Sequence, residues 1–163
     1  MKAEVKAEWI KRLRSGKYTQ TTGALHRVLG DDPRGDRYCC LGILCEIAVE
    51  QEVVKVFDPR PENNDRELEY GTDEGYAVSG VPPESVLVWA EVPKRQVSGR
   101  SVELHNDEFH FTVEKDTPLH EKLKETLGLS AYRGDDPEYS LVEMNDSGEF
   151  TFEEIADVIE QYF

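Results

Sequence analysis

No run of apolar residues in this chain approaches the roughly 20 needed to span a bilayer. A membrane-spanning role is therefore not expected. The opening stretch MKAEVKAEWIKRL lacks the apolar centre of a signal peptide, which points to a cytoplasmic home. Cysteine is scarce: three residues, all between Cys39 and Cys45. A secreted disulfide framework spreads an even number of cysteines along a chain, so reduced thiols are expected here. A bond between adjacent Cys39 and Cys40 would need a strained peptide. Metal-binding pairs are missing too. The spacing C-C-x4-C offers no C-x-x-C, and His26, His105, His110 and His120 show no motif spacing. The G-x-x-x-x-G-K-[ST], G-x-G-x-x-G, G-x-S-x-G and H-E-x-x-H patterns are also missing. No cofactor is expected.

Positive charge is scarce beyond the first third. The formal net charge is -15. Residues 1–48 carry nine Lys/Arg and six Asp/Glu; the remainder carries ten and 28. Duplex DNA binding needs a broad basic surface and is not expected. The acidic surface serves solubility, or imitates nucleic acid toward a basic partner.

What is present fits 163 residues in one α+β domain: about five helices around a buried central helix, with small antiparallel strands. Val5, Trp9 and Leu13 recur at helical spacing, predicting a helix over 3–14 with Gly16 at its C-cap. KYTQTTGALHRVL reads as a strand or hairpin bending at Gly23. RYCCLGILCEIAVEQEV is apolar nearly all round as a helix, about 37–50. Such a helix is buried. Only a strip with Glu46, Glu50 and Cys39 reads as wet.

Residues 58–67 read as a polar, mobile loop, and LEYGTDEGYAVSG as short strands. Pro82 and Pro83 open a helix through about Val92. SVELHNDEFHFTV alternates as a hairpin turning at Asn106-Asp107. Thr117 caps a helix ending at Gly128, and Thr151 with Glu154 forms the capping box of a last helix.

Four stretches bear on chemistry. Cys39, at a helix N-terminus near Arg34 and Arg37, is the candidate nucleophile, with His26 as its base. EMNDSGEFTFEE aligns with a calcium loop through Asn145, Ser147, Gly148 and Glu154, although Glu143 stands where Asp belongs. FTFEEIADVIEQYF resembles the second helix region of helix-turn-helix proteins, but the recognition helix that must follow is not expected, and a capped amphipathic closing helix is the simpler reading. LRSGKYTQTTGAL is dense in donors. Arg14, Ser15, Lys17, Tyr18 and Gln20, with Arg37 and Tyr38 at the helix start, suit an anionic, planar, nucleotide-like ligand.

Three blocks occur in order: W-x3-LRSG-x-Y-x-Q-x2-G-x-L from Trp9, YCCLGILCE from Tyr38, and MNDSGEFTFEEIADVIE from Met144. With GVPPESVLVWA between them, they resemble a family of small proteins of tailed phages and prophages. The resemblance covers less than half the chain and carries no catalytic residues with it. It implies a setting: an accessory protein in the host cytoplasm, of a kind that disarms defence by binding a signalling nucleotide or a host protein. The resulting expectation is a binding module rather than an enzyme. A small hydrolase or transferase using Cys39, and an acidic decoy for a basic host protein, are the alternatives.

Overall fold

Residues 1–30, 35–60, 64–92, 109–128 and 138–163 are described by a computed structural model. The opening helix α1 (Ala3–Leu13) buries Val5, Trp9 and Leu13, one face of a 3.6-residue period. It ends at Leu13, one residue before expectation, with Arg14 rather than Gly16 as its C-cap, and Gly16 follows in the left-handed region. Next come β1 (Thr19–Gln20), β2 (His26–Leu29) and β3 (Arg37–Tyr38). The predicted hairpin does not form within 17–29. Instead β3 lies between β1 and β2, parallel to the first and antiparallel to the second. Gly23, at φ 72°, turns the chain between β1 and β2.

The central helix α2 spans Cys40–Glu50, shorter at its start than the apolar pattern implied, because Arg37 and Tyr38 are in β3. Cys40 through Cys45, with Ile47 and Ala48, are buried, as an all-round apolar helix requires. Gly42 sits where no side chain fits: a Cβ there would come 1.8 Å from the Leu25 carbonyl oxygen. Trp9 crosses from α1 and donates its indole N–H to the Cys40 carbonyl at 2.8 Å. Arg12 holds the same two helices outside, its guanidinium bonded to Glu8 and to both oxygens of Glu50.

β4 (Lys55–Phe57) and β5 (Asp65–Gly71) complete a five-stranded sheet in the order β1-β3-β2-β5-β4. The expected loop over 58–67 is therefore shorter, since Asp65 to Glu67 pair with Arg27 to Leu29. Arg66 Nε also donates to Asp58 at 2.6 Å. Residues 61–63 lie outside the described residues. The chain then turns through Thr72–Gly75, and Val78 bridges back to Tyr70. Pro83 caps the short α3 (Glu84–Trp89). Val86 and Ala90 are fully buried, while Trp89 is half-buried.

The turn Asn106-Asp107 and His105 of the predicted hairpin lie outside the described residues. Phe109, Phe111 and Val113 are buried, and β6 (His110–Thr112) pairs with β7 (Glu138–Ser140). Between them α4 (Pro118–Leu127) starts on the Thr117 cap and ends at Gly128. Two capping boxes close the chain: Ser140 with Glu143 starts α5 (Leu141–Ser147), and Thr151 with Glu154 starts α6 (Phe152–Tyr162). The fold is α+β, with six helices among the described residues and α2 at the centre of one apolar core. Among those residues no helix is long and apolar enough to cross a membrane.

Candidate functional site

The β1–β3 pairing brings two predicted stretches together: Thr19 stands opposite Arg37, and Gln20 opposite Tyr38. Tyr18 meets Tyr38 edge-on, ring centroids 5.3 Å apart. The donors at this corner have work inside the fold. Arg14 bonds Asp157 and Glu160 of α6. Ser15 Oγ donates to the Arg12 carbonyl at 2.6 Å and accepts the Lys17 amide. Gln20 Nε2 donates to the Phe150 carbonyl at 3.1 Å and to Asn145 Oδ1 at 3.3 Å. Lys17 is exposed, and Arg37 is half-buried on β3.

The start of α2 is occupied by the protein's own groups. The Cys40 amide donates to Asn145 Oδ1 at 3.0 Å, and the Gly42 amide to Cys39 Sγ at 3.3 Å. These are first-turn donors that an anion at the helix start would need. Cys39 itself caps the helix and is only 7% exposed, not on a wet strip. Burial, with a smaller contribution from Asp146, pushes its thiol up to about 12 against the pull of the Gly42 and Leu41 amides. Cys40 and Cys45 are buried completely and held well above the ordinary thiol range for the same reason. Nucleophilic cysteines need the opposite setting. His26, the expected base, points its nitrogens at Tyr70 and Asp36.

Asn145 is the hub at which three distant stretches of the sequence meet. Its Nδ2 donates to the Thr21 carbonyl at 2.8 Å and to Asp146 Oδ1 at 3.0 Å, while Oδ1 accepts from Cys40 and Gln20. Asp146 in turn accepts the Gly23 amide at 3.0 Å. A cavity of about 50 Å³ lies here, lined in part by Gly23, Cys39, Asn145 and Asp146. It is on the scale of a water or two, far below a nucleotide.

The calcium alignment is not realised. Asn145 and Ser147 are inside α5 rather than a loop, and Gly148 is that helix's left-handed cap. Asn145 serves the hub, Ser147 Oγ donates to the Met144 carbonyl, and Glu154 serves Thr151 and Lys122. Each oxygen is committed to a different neighbour. Among the described residues no group of three or more His, Cys, Asp and Glu side chains converges as a metal site.

Two further features escaped the sequence reading. The first is a chain of polar groups between the sheet and α2, buried at His26 and Tyr70 and open to solvent at Asp36. His26 Nε2 faces Asp36 Oδ2 at 3.1 Å, and its Nδ1 faces the Tyr70 hydroxyl at 3.1 Å. Tyr70 donates to Glu46 Oε1 at 2.6 Å. The phenol has one proton and gives it to Glu46, so the ring nitrogen is the donor in the other contact. Tyr38 covers the imidazole at 4.1 Å. Burial first, then the Glu46 charge, raises both phenols. These residues come from four separate segments, and no spacing announces them.

The second is a groove of about 640 Å³ between the 72–78 turn and the start of α3. Tyr76, Val78, Val81, Pro82, Pro83 and Glu84 line it. Tyr76 is 96% exposed beside it. A turn-rich stretch with two tyrosines was the available signal, and it marks strands and loops alike.

The profile of a family described as Domain of unknown function (DUF8296) matches residues 1–163. The chain belongs to this family. No curated protein and no solved structure matches it. The family's description names no activity.

Proposed function

We propose that the protein is a binding module, an accessory factor of a phage that blocks a host protein in the host cytoplasm. The observation that carries this reading is the groove beside Tyr76, an open concavity with an almost fully exposed aromatic ring on its edge. Tyrosine is among the residue types enriched where binding energy concentrates at interfaces. The sealed thiols support the same choice over a cysteine enzyme. The phage setting is supported by the three sequence blocks, whose residues meet at Asn145. Counter-defence is the role that fits such an accessory protein.

A second reading, a nucleotide-like ligand on the Lys17, Tyr18, Arg37 and Tyr38 face, is favoured by the β1–β3 pairing that sets these residues side by side. One experiment separates the two. Immobilised protein is exposed to host lysate beside a Tyr76→Ala variant, while both are screened by thermal shift against nucleotides and cyclic nucleotides. The groove reading expects a host protein that only the wild type retains. Equal retention by the variant overturns it. A nucleotide that stabilises both proteins alike supports the second reading instead.

A further inference from the structure

An ionised carboxylate accepts hydrogen bonds and donates none. That rule fixes the protons around His26. Its Nε2 lies 3.1 Å from Asp36 Oδ2, so this nitrogen is the donor. Its Nδ1 lies 3.1 Å from the Tyr70 oxygen, whose own proton goes to Glu46, so Nδ1 is a donor as well. A neutral imidazole has one N–H, and the two contacts need two.

The surroundings match a cation. His26 is buried, yet a carboxylate faces each of its nitrogens: Asp36 at Nε2, and Glu46 of α2 with Oε1 3.7 Å from Nδ1. The Tyr38 ring of β3 lies 4.1 Å from the imidazole, tilted by 31°, within cation–π range. The Cys45 thiol of α2, close to Tyr70, is neutral because burial raises it. Arg27 and Arg37 stand opposite each other one position along the β2–β3 ladder, on its alternate face. His120 is the contrasting case. It is also buried, but its Nδ1 accepts the Asp116 amide at 3.1 Å, so its one proton is on Nε2.

We infer that His26 is a buried imidazolium and that its second proton latches β3 to β2. Asp36 immediately precedes β3, a strand of two residues between β1 and β2. The charged ring ties Asp36 to β2 through Nε2. When rising pH removes one proton, Nδ1–H stays with Tyr70 and Nε2 turns a lone pair toward the carboxylate. Asp36, already 46% exposed, then moves to water. The latch is closed while the ring is charged and opens as pH rises past the loss of that proton. Opening loosens β3, with Arg37 and Tyr38, ahead of the start of α2. This device is independent of what the groove at Tyr76 binds.

The test is NMR of the histidine ring N–H groups in the full chain. At about pH 7.5 a free imidazole, which titrates near about 6.5, is mostly neutral. At that pH His26 shows N–H signals from both ring nitrogens, and His120 from Nε2 alone. A single N–H signal from His26 overturns the imidazolium. Hydrogen exchange then reads the latch through the Thr21 and Cys39 amides, which donate to the Tyr38 and Leu25 carbonyls on either side of β3. Their protection, relative to amides of α4, falls about fivefold once pH has removed the Nε2 signal of His26. No fall relative to α4 overturns the latch. Asp36→Asn keeps an acceptor at an exposed position and removes the charge. It brings the loss of the Nε2 signal about one pH unit lower. Loss of the signal at an unchanged pH means that Asp36 does not hold the proton, and also overturns the latch.

Discussion

Asn145 and Cys40 stand 105 positions apart, yet the Asn145 side-chain oxygen accepts the first amide of the central helix at 3.0 Å. The same side chain reaches the Thr21 carbonyl at 2.8 Å. One buried amide thus ties α5, α2 and the strand region together, using both its donor and its acceptor.

Asn145→Ala removes every one of these bonds at once. It leaves the Cys40 amide and Thr21 carbonyl buried without the Asn145 partner, and destabilises the fold by about 2–4 kcal/mol. Asn145→Asp keeps the acceptor, loses the donor, and brings a second carboxylate beside Asp146. Urea unfolding of both variants measures the effect. A loss below about 1 kcal/mol for Asn145→Ala would mean the hub is not holding the fold.

Gly42 makes the next prediction. A Cβ at this position meets the Leu25 backbone at 1.8 Å, and backbone cannot swing aside as a side-chain tip does. Gly42→Ala therefore costs about 3 kcal/mol or more, against the gain alanine brings to an open helix site. A thermal melt decides it; a raised melting temperature would contradict the packing of β2's entry on α2.

The thiols predict a pH dependence. In the unfolded chain they ionise near 9.0, whereas folded Cys39 is held up to about 12 by burial. Below pH 9 the thiol is neutral in both states and its contribution to stability is fully present. Between about pH 9 and about pH 12 the unfolded chain releases a proton the folded one keeps, so stability falls as pH rises. Cys39 alone contributes on the order of 4 kcal/mol to that fall. Cys40 and Cys45 act in the same direction. Iodoacetamide labels none of the three in the native protein at neutral pH and all three in urea. Rapid native labelling of Cys39 would show its burial to be wrong and reopen the enzyme reading.

Tyr70 links His26 to Glu46, and its removal is felt by both. Tyr70→Phe leaves the ring's apolar packing and deletes the hydroxyl that Glu46 accepts at 2.6 Å. The expected loss is about 1–3 kcal/mol. Combined with Glu46→Gln, the losses should fall short of additive by about 1 kcal/mol, as partners in one network do. Strict additivity in the double-mutant cycle would break the chain of contacts into independent pieces.

Much of the fold is legible locally. Val5, Trp9 and Leu13 announce α1, the apolar run at 40–48 announces a buried helix, and Thr151 with Glu154 announces α6. Those features depend on neighbours within one or two turns, and helical periodicity and capping act at that range. The sheet order was not legible. β3 slots between β1 and β2 because pairing partners far apart compete, and the competition is settled by which side chains the sheet can bury on α2.

The candidate sites divide the same way. From the sequence by itself came the highly charged composition, the acidic balance, the burial of the cysteine helix and the list of donors around Arg14 to Tyr38. The tertiary structure decided what each group is for. It directed Arg14 to α6 and Gln20 to Asn145, and it sealed Cys39 beneath the helix start. It assembled His26, Asp36, Tyr70 and Glu46 from four segments, and it left Tyr76 open above a groove. The physical reason is range. Charge and hydrophobic period belong to a segment, whereas burial and hydrogen-bond partnership are properties of what the rest of the chain brings next to it.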